Sequence, residues 1–519
     1  MTQIPFHGNR IINIEMPTDF SHENMHKEVA KQFSAPKSEF HIEILRQSLD
    51  ARSKNNPHWK IRAVVWSETF SATEHISAPA IEFPQIGNKR RVIVIGSGPA
   101  GYFCALFAAR SGFQVTIIEQ GPNVEKRWQD VLNFEANSKL QEFSNYVCGE
   151  GGAGTFSDGK LTSRTKGIDV ERNFIFKTYI EAGAPPEIDY LAHPHIGSNH
   201  LRKIMPKLRE MFQNAGGEIL FNCTVTDFEN NQGSVRQIGT SQGFFEAEFF
   251  VFACGHSSMP AYRTLLGNGV RFAPKPFAIG MRVELPQQIV NEAQFRRKSL
   301  PGVKAAEYFL TTQAELPVYS FCMCPGGKVV PAMTQPGTLV VNGVSNYERN
   351  GAFANSAIVA GVDLRQLVNP EISAIQCLEW RENIERTAHK ISSGTHNFAA
   401  PASRVTDFIQ NKISLNLPNS TYPFPLVPDT YQELLPNKVL SALRTAMSDF
   451  SKKLHGFDQG ILIGVETTTS APIRTERDNQ RRCVGFSNLF VAGEMSGWSG
   501  GIVSSAVDGI KVAQAICRL

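Results

Sequence analysis

A chain of 519 residues exceeds what one hydrophobic core normally organises, and 42% hydrophobic with 19% charged residues is an ordinary globular composition, so two or three domains are expected. A formal net charge of +4 at pH 7 is small for this length, so bulk electrostatics demand neither a nucleic acid nor a membrane surface as partner. No apolar run approaches the length of a membrane span, and the amino-terminal residues show no signal-peptide pattern.

The number and spacing of the cysteines indicate whether the chain can bind a metal and whether it works in a reducing compartment. The nine cysteines are scattered along the chain, and no pair of Cys-x-x-Cys units exists that would build a zinc or iron–sulfur site. We therefore predict that the protein holds no metal and works in a reduced, cytoplasmic setting.

Residues 1–87 differ in pattern from the rest of the chain. A helical stretch at 21–33 precedes two expected strands, at 39–46 and 59–66, and the second strand alternates apolar and polar residues. A linker is expected at 77–87. The pattern predicts a small α+β module without a catalytic centre, which serves as a cap over the next domain or as a docking surface for a protein partner.

From residue 91 the sequence shows the pattern that is typical of a buried parallel strand. Val-Ile-Val-Ile at 92–95 is a continuous β-branched run, and it ends in Gly-Ser-Gly-Pro-Ala-Gly at 96–101. A helical pattern over 100–111 follows, and then a second buried strand over 114–118 that closes on Glu119. This order of elements predicts a βαβ unit that carries the dinucleotide-binding fingerprint.

Each part of the fingerprint has a physical role. Gly96 permits the tight turn, Gly98 lets the backbone approach a pyrophosphate, and Gly101 lets helix and strand pack closely. The helix amino terminus offers unpaired N–H groups and the positive end of its dipole to the phosphates. Glu119, 23 residues after Gly96, is placed to accept hydrogen bonds from the adenosine ribose, and its charge argues against a 2′-phosphorylated nucleotide.

The carboxyl-terminal region carries a second glycine-rich turn. A short strand over 488–492 leads into Gly-Glu-Met-Ser-Gly-Trp-Ser-Gly-Gly-Ile at 493–502, and a helix follows. This arrangement resembles the second FAD motif of glutathione-reductase-like flavoproteins, in which a strand ending in Gly-Asp meets the ribityl chain. Here the acid is Glu494, which can still accept a ribityl hydroxyl. The glycines before Ile502 would bring a helix amino terminus near the flavin pyrimidine edge.

Two further segments resemble cofactor contacts of the same flavoproteins. The strand over 249–253 leads into Cys254 and Gly255, where the family has an Ala-Thr-Gly turn near the cofactor. Val225 matches the position whose backbone faces the adenine. The resemblance implies FAD, bound by Gly96, Ser97, Gly98, Pro99, Ala100, Gly101, Glu119, Gln120, Arg127, Gly154, Val225, Ala253, Gly255, Gly493, Glu494, Gly500, Gly501 and Ile502.

Longer stretches extend the likeness to nearly the whole chain. The most specific is Gly-Gly-Ala-Gly-Thr-Phe-Ser-Asp-Gly-Lys-Leu at 151–161, and the others lie at 48–52, 194–197, 275–284 and 321–327. Together they resemble the bacterial family of uncharacterised FAD-dependent dehydrogenases. That resemblance implies an FAD-dependent oxidoreductase and leaves the substrate open.

The expected fold is α/β, with an FAD-binding Rossmann-like domain of the glutathione-reductase type, an inserted α+β substrate domain and the small amino-terminal α+β module. We place the module at 1–87, the two parts of the FAD-binding domain at 88–271 and 455–519, and the substrate or cap domain at 272–454. The inserted domain is expected to cover the flavin.

The segment 149–161 is too rich in glycine for the interior of a helix or strand. We expect its backbone to pass close to a flat ligand, for which the resemblance offers the isoalloxazine. Ser157, Asp158 and Lys160 are then the polar groups nearest the reactive ring, and Lys160 could stabilise reduced flavin or position a water. The alternative is that Asp158 and Lys160 only pair with each other to hold the loop.

Three neighbouring histidines, His193, His195 and His200, invite a metal interpretation. Pro194 fixes the chain between the first two, and no carboxylate with ligand-like spacing accompanies them, so no metal is expected. His195 is a candidate acid or base beside the substrate, with the alternative that it caps a turn before the helix that begins near Ser198.

Cys322 and Cys324 would point to one face of an extended segment, and Pro-Gly-Gly at 325–327 marks a sharp turn after them. A redox pair that passes electrons to the flavin is one interpretation. A disulfide across a single intervening residue is strained, and related disulfide reductases place their cysteines in a helix after the first glycine-rich unit, so a turn that lines the pocket is favoured.

The leading functional hypothesis is a dehydrogenase or reductase that transfers a hydride through flavin N5 to or from a small-molecule substrate. No second strand–GxGxxG–helix unit appears, so NADH or NADPH is expected to bind transiently or not at all. One alternative is an RNA-modifying flavoprotein, which needs a contiguous basic surface that the small net charge does not promise. The other is a non-catalytic FAD-bearing redox sensor.

Overall fold

The computed structural model describes residues 8–34, 36–71, 74, 80–87 and 90–519. They form a small amino-terminal module followed by two larger units, one built on a parallel sheet and one on a mixed sheet. The first residues of the expected linker, 77–79, and the expected domain start at 88 lie outside the described residues.

The amino-terminal module is a three-stranded antiparallel sheet with a helix on one face. Its elements are β1 (Gly8–Pro17), α1 (His22–Phe33), β2 (His41–Asp50) and β3 (His58–Ser67), and the strand order is β1-β3-β2. Alternate side chains of β1, from Ile12 to Met16, are buried against Met25 and Val29 of α1. Helix α1 and strands β2 and β3 confirm the predicted elements, whereas β1 was not predicted.

Backbone hydrogen bonds dock this module on the rest of the chain. The N–H of Gln47 in β2 donates to the carbonyl oxygen of Tyr190 at 2.8 Å, and the N–H of Ala192 donates to the carbonyl oxygen of Gln47 at 2.9 Å. The Nζ atom of Lys54 donates to the carbonyl oxygen of Ala293 at 2.6 Å. The module therefore contacts both larger units of its own chain.

The parallel-sheet unit begins with the predicted βαβ arrangement. Its elements in this part of the chain are β4 (Arg91–Ile95), α2 (Pro99–Arg110), β5 (Gln114–Ile118), α3 (Val124–Asn137), α4 (Asp169–Glu181), α5 (Ser198–Asn214), β6 (Glu218–Leu220), β7 (Val225–Asn231), β8 (Ser234–Thr240), β9 (Gly243–Glu246), β10 (Phe249–Phe252) and α6 (Met259–Gly267). Strands β7, β8 and β9 form a separate antiparallel sheet. The βαβ elements and β10 confirm the strands and the helix read from the sequence.

The mixed-sheet unit occupies the middle of the chain. Its elements are β11 (Phe272–Pro274), β12 (Phe277–Pro286), α7 (Gln287–Phe295), β13 (Thr311–Gln313), β14 (Pro317–Cys324), β15 (Gly327–Pro331), β16 (Val341–Ser345), β17 (Phe353–Val362), α8 (Leu364–Leu367), α9 (Ala374–Ser392), β18 (Ala400–Arg404), α10 (Val405–Ile409), β19 (Leu426–Pro428), α11 (Asn437–Lys453), β20 (Ile461–Glu466) and β21 (Ile473–Thr475). We call this unit the cap.

The chain then returns to the parallel sheet through β22 (Leu489–Val491) and α12 (Ile502–Cys517). The five-stranded sheet has the order β22-β10-β4-β5-β6, and all of its pairs are parallel. Helices α2 and α12 cross closely, because a Cβ at Gly509 would lie 2.0 Å from the carbonyl oxygen of Ala100. The parallel strands carry buried apolar residues on both faces, as such sheets require.

A seven-stranded sheet organises the cap, in the order β13-β14-β17-β12-β20-β18-β19. Strand β20 lies at 461–466, within the segment expected to complete the FAD-binding domain, yet it pairs with β12 and β18. The sheet of the cap thus extends past residue 454. Strand β12 is buried on both faces, so its polar side chains, Arg282 and Glu284, lie inside the cap.

Candidate functional site

The turn between β4 and α2 has the backbone that the fingerprint predicts. Gly96 adopts a φ of +102°, and a Cβ there would lie 2.6 Å from the carbonyl oxygen of Ala253 in the strand alongside. A Cβ at Gly101 would lie 1.9 Å from the carbonyl oxygen of Gly96. Gly98 is the N-cap of α2, with Pro99 at its first position, so the free N–H groups of the helix open at this turn.

Glu119, directly after β5, stabilises this turn by hydrogen bonds. One carboxylate oxygen accepts hydrogen bonds from the N–H and the hydroxyl of Ser97, at 3.0 and 2.7 Å, and the other accepts from the N–H of Gly121 at 2.9 Å. A carboxylate has about four lone pairs, so these three contacts leave capacity for about one more donor, such as a ribose hydroxyl. Gln120, the next residue, donates to the sulfur of Cys148 at 3.7 Å.

Arg127 of α3 holds the glycine-rich loop over the same turn. Its guanidinium is fully buried and donates to the carbonyl oxygens of Asn145, Gly149, Glu150 and Gly152, at 2.8, 3.1, 2.7 and 2.9 Å. Its Nη2 atom has no hydrogen-bond partner among the described residues. Burial lowers the pKa of Arg127 to about 10, so the group stays cationic at neutral pH. A buried cation with a free donor fits an anionic ligand.

The carboxyl-terminal turn lies against β10. Glu494 contacts Nδ1 of His256 at 2.8 Å and accepts the N–H of Gly501 at 2.7 Å. The other ring nitrogen of His256 donates to the carbonyl oxygen of Thr468 at 2.7 Å. Burial would raise the pKa of Glu494, but His256 lowers it below its usual range. His256 directly follows the Cys254–Gly255 turn, but no spacing rule marks it as the partner of Glu494.

Ala253 and Gly493 follow parallel strands and so lie, like Gly96, at the carboxyl edge of the five-stranded sheet, whereas Val225 belongs to the separate sheet of β7, β8 and β9. Ala253 follows β10 and donates its N–H to the carbonyl oxygen of Ile95 at 2.8 Å, while Val225 is the first residue of β7. The N–H of Gly493 donates to Asp508 of α12 at 2.8 Å. Gly154, in a short 3₁₀ turn over Gly152–Phe156, faces Ile502, whose Cγ1 lies 3.4 Å from a Cβ built at this glycine.

The residues at this edge fit a dinucleotide. A Cβ at Gly255, Gly500 or Gly501 would meet no heavy atom within 4 Å in the described part of the chain, so open space borders all three glycines. A small, partly open pocket adjoins Ser97 and Gly98. The buried hydroxyls of two serines, Ser499 and Ser505, have no partner within the described ranges. Open space, unpaired donors and helix termini together match a polar, phosphate-bearing ligand.

A buried cluster of charged side chains begins four residues after Gly154. Asp158 pairs with Nζ of Lys160 at 2.7 Å and with Nη2 of Arg349 at 2.7 Å, and it also accepts the hydroxyl of Ser345. Glu307 completes the cluster, because it pairs with Arg349 and lies 3.4 Å from Nζ of Lys160. Two carboxylates thus balance two cations across the boundary between the loop and the cap. We call these four charged residues the Asp158 cluster.

Only one half of the Asp158 cluster could be predicted from the sequence. The expected pairing of Asp158 with Lys160 is present, but Arg349, Ser345 and Glu307 come from distant parts of the cap and carried no local signal. Burial would raise the pKa of Asp158, yet Lys160 and Arg349 hold it well below the usual range. Asp158 and Arg349 are therefore ionised together inside the protein.

His195 borders the Asp158 cluster as a neutral side chain. Burial, together with Arg349, lowers its pKa to about 3. Its Nε2 atom donates to the carbonyl oxygen of Tyr347 at 3.0 Å, which leaves the lone pair on Nδ1. A backbone bridge joins His195 to Lys160. The structure thus places all three candidate catalytic residues together, and it assigns Ser157 a turn-stabilising bond to the carbonyl oxygen of Gly154 at 2.7 Å.

Cys322 and Cys324 lie at the end of β14, where the strand is irregular. The pairing of β14 with β17 slips between Phe321 and Cys324, and Cys322 adopts a φ of +46°. The segment is therefore not regularly extended, so the condition under which both thiols would share one face is not met. The carbonyl oxygen of Cys322 accepts a hydrogen bond from Arg282 at 3.3 Å and lies 3.4 Å from the sulfur of Cys324.

The described residues contain no group of three or more His, Cys, Asp or Glu side chains placed to hold a metal ion. His195 and His200 instead lie against the ring of Tyr347, with centroids 5.4 and 4.9 Å away. Within the same described ranges, no helix is both long and apolar enough to cross a bilayer.

Glu150 lies in the loop that Arg127 holds, and it should make the stability of the protein depend on pH. Burial raises its pKa to about 7, against the opposing influence of Arg209 at 3.2 Å. The folded protein then keeps a proton that the unfolded chain releases above about pH 4.3, so stability is lost as the pH rises toward 7. Between about pH 5 and pH 7.5, the free energy of unfolding of the wild type should fall by up to about 3 kcal/mol more than that of Glu150→Gln. Urea unfolding of both proteins at the two pH values measures this difference.

Glu125→Gln is the matched control for this experiment. Glu125 pairs with the same Arg209 at 2.8 Å, but its side chain is half exposed. The control should keep the pH dependence of the wild-type protein. Identical pH dependence in Glu150→Gln and the wild type would show that the buried carboxyl is ionised at all of these pH values.

The fold and the dinucleotide edge define an α/β flavoprotein, and comparisons with known proteins agree. Residues 91–128 match the FAD binding domain, 276–469 match the model described as FAD-dependent protein, C-terminal domain-like, and 9–66 match a domain of unknown function. The cofactor is FAD. The three matches fall in the parallel-sheet unit, the cap and the amino-terminal module, in that order.

An uncharacterised protein of Clostridium beijerinckii is 36% identical over 530 residues, which cover 98% of each chain. The chain belongs to the same family of FAD-dependent proteins. Among solved structures, CtdE in complex with FAD is 12% identical and matches over 83% of this chain and 84% of its own, with a TM-score of 0.36. L-proline dehydrogenase from P. horikoshii is also 12% identical, over 83% and 94%, with a TM-score of 0.36.

Proposed function

We propose that this flavoprotein is an oxidoreductase that moves a hydride between flavin N5 and a small molecule held beside the Asp158 cluster. One observation carries the proposal. The glycine-rich loop that lies over the dinucleotide edge at Gly154 continues directly into Asp158 and Lys160, so one segment joins the FAD site to the buried charges. Charged side chains clustered in a buried site next to a cofactor are typical of catalysis.

The cofactor side of the proposed reaction rests on binding and charge. Bound FAD supplies two-electron chemistry at N5. The amino terminus of α2 at Gly98 is suited to the pyrophosphate, and the free Nη2 donor of Arg127 is suited to the same anion. Gly501 is the N-cap of α12, so the positive end of this helix dipole would stabilise negative charge on the reduced ring.

The substrate side rests on the exposed members of the Asp158 cluster. The side chains of Lys160 and Glu307 keep 27% and 33% of their surface exposed, whereas those of Asp158 and Arg349 keep 1% and 7%. Lys160 and Glu307 are therefore the residues positioned to contact a bound molecule, and the other two hold them in place. His195, neutral with its lone pair on Nδ1, is placed to accept a hydrogen bond from the bound molecule, and its low pKa makes it too weak a base to hold a proton at neutral pH.

NADH or NADPH is a candidate electron donor, and because the chain has only one dinucleotide fingerprint, we propose that it binds transiently or not at all. The family matches give no support to an RNA-modifying enzyme or a non-catalytic sensor. A protein partner for the amino-terminal module stays a prediction.

Anaerobic stopped-flow reduction of the FAD-loaded protein tests the proposal. Flavin absorbance is followed with NADH and NADPH in separate experiments. Fast, saturable bleaching by one of them identifies a reductase, and the bleached protein is then mixed with candidate acceptors. If neither nicotinamide bleaches the flavin, a screen of small alcohols, amines and acids as donors follows. The proposal is wrong if no compound of either class changes the flavin spectrum faster than it changes that of free FAD.

A further inference from the structure

We propose that His256 is a positioning residue for FAD, which as an imidazolium cation keeps the carboxylate of Glu494 ionised and turned toward the ribityl chain. The inference concerns how the cofactor is held, and it does not depend on the proposed hydride transfer. It rests on the place of Glu494 at the dinucleotide edge, on the two contacts of the His256 ring and on the pairing of the buried charges around that ring.

Glu494 lies close to both glycine-rich turns of the dinucleotide edge. A Cβ at Gly493, the preceding residue, would lie 2.5 Å from the Cβ of Ala100 in α2, the helix of the fingerprint. One carboxylate oxygen of Glu494 accepts the N–H of Gly501, the N-cap of α12, at 2.7 Å. The side chain of Glu494 keeps 29% of its surface exposed, and open space borders Gly500 and Gly501. The carboxylate therefore retains lone pairs that can accept a ribityl hydroxyl.

The ring of His256 lies between two hydrogen-bond acceptors. Its Nδ1 atom lies 2.8 Å from a carboxylate oxygen of Glu494, and its Nε2 atom lies 2.7 Å from the carbonyl oxygen of Thr468. Neither a carbonyl oxygen nor an ionised carboxylate can donate, so both contacts are hydrogen bonds only if both ring nitrogens carry a proton. A histidine with two ring protons is a cation. The side chain is only 10% exposed, so these two acceptors determine its protonation.

A protonated Glu494 beside a neutral His256 would also satisfy both contacts. The surroundings of the carboxylate favour the ion pair instead. The N–H of Gly501 donates to the same carboxyl group, and donation from an N–H stabilises the ionised form. Burial would raise the pKa of Glu494, but His256 and the N–H of Gly501 lower it below its usual range. The second proton therefore belongs to the ring.

Two buried carboxylates of the cap lie near the His256 ring, and each has an arginine of its own. Thr467, next to the residue that accepts from Nε2, donates to Glu385 at 2.6 Å. Nη1 of Arg381 donates to the carbonyl oxygen of His256 at 3.0 Å. The two ion pairs, at 3.1 and 3.4 Å, are Glu466 with Arg282 and Glu385 with Arg381. Within the described ranges, Glu494 has His256 as its one ion-pair partner, so a neutral ring would leave this carboxylate without a counter-charge.

The His256 proton should therefore be linked to FAD binding. A hydroxyl that donates to an ionised carboxylate forms a charge-assisted hydrogen bond, roughly twice as strong as a neutral one. While the ring is protonated, the ion pair holds the carboxylate of Glu494 in place. Once the ring loses its proton, the lone pair on Nδ1 faces the carboxylate and the ion pair is lost. FAD affinity is expected to be highest where the ring is protonated and to fall as the pH rises above that range.

Titration of the apoprotein with FAD, followed by flavin fluorescence, tests this inference. His256→Asn keeps a donor near the position of Nδ1 but carries no charge. We expect the Kd for FAD at neutral pH to rise at least about 10-fold in His256→Asn and in Glu494→Gln. The double variant should bind no more weakly than the weaker single variant, because both substitutions disrupt the same pair. His200→Asn is the control, since His200 lies 3.9 Å from Glu348 with 29% of its side chain exposed, and it should bind FAD as the wild type does.

The pH profile separates a positioning role from a structural one. Between about pH 6 and pH 9, the Kd of the wild type should rise more than that of His256→Asn, which has no ring proton to lose. Glu494→Gln should show the same flattened profile. A wild-type Kd and pH profile in His256→Asn would overturn the inference, and so would effects of the two substitutions that add in the double variant.

Nuclear magnetic resonance of the wild type labelled with ¹⁵N in its histidine rings needs no substitution, so it does not depend on how the variants fold. At neutral pH, the ring assigned to His256 by its contacts with Thr468 should carry two slowly exchanging N–H protons. A single ring proton on His256 would overturn the inference. Failure of the proposed function would appear separately, as an FAD that binds with the expected pH profile but that no small-molecule donor reduces.

Discussion

Replacing Gly101 by alanine should leave the protein unable to retain FAD. The added Cβ would lie 1.9 Å from the carbonyl oxygen of Gly96 and 3.3 Å from Val94, so α2 would have to move away from β4. That movement would displace the helix amino terminus that is proposed to bind the pyrophosphate. We expect flavin content below about a tenth of wild type and a loss of about 3 kcal/mol or more in the free energy of unfolding. The absorbance ratio of flavin to protein and urea unfolding measure both effects.

Gly267→Ala is the control for this substitution. Gly267 ends α6, and a Cβ there would meet no heavy atom within 4 Å among the described residues. Its flavin content and stability should match the wild type. Full flavin content in Gly101→Ala would show that α2 can move without loss of the cofactor site.

Replacing Asp158 by asparagine should have the second large effect. The neutral amide would leave Lys160 and Arg349 with only Glu307 to balance them in a buried site. Removing one partner of a buried ion pair costs about 3–5 kcal/mol, and we expect a loss of that size in urea unfolding at neutral pH. Reduction of the flavin by its donor should slow at least about 100-fold, because Lys160 would lose the partner that positions it.

The same variant should change the response to acid. The pKa of Asp158 is lowered in the folded protein, so its stabilisation is present above the unfolded value of about 3.9 and is lost as the pH falls below it. The stability of Asp158→Asn should therefore fall less between about pH 5 and pH 3 than that of the wild type. Asp169→Asn is the control, since Asp169 pairs with Arg172 at 2.8 Å on the surface and should change stability by less than about 1 kcal/mol.

Local sequence patterns predicted the strands, turns and helices at the dinucleotide edge well because the physical constraints there are local. The strand, turn and helix around Gly96 and Gly101 are specified within about twenty residues, and the packing of each glycine explains its identity. The same holds for β22, the turn after it and α12. Strand β1 was missed although Ile12 and Ile14 alternate with polar neighbours, because its pairing partner, β3, lies about fifty residues away.

The substrate side was predicted less completely because its contacts join distant segments. Asp158 and Lys160 are neighbours in sequence, but Arg349 and Glu307 reach them from the cap, and a single sequence gives no signal for such pairs. The backbone conformation of Cys322 also could not be predicted from the sequence. Its positive φ depends on a slip in strand pairing and on Arg282, neither of which leaves a local pattern.

The order of strands in the parallel sheet has a consequence for how the chain folds during synthesis. The edge strand β22 pairs with β10 across more than two hundred residues, and the whole cap lies between them. The ribosome therefore releases a complete cap before the segment that finishes the FAD site. Newly made chains would pass through a state in which the mixed sheet of the cap is complete while β10 still has an unpaired edge. Unpaired strand edges favour aggregation. We therefore expect FAD to bind only after β22 and α12 have joined the parallel sheet.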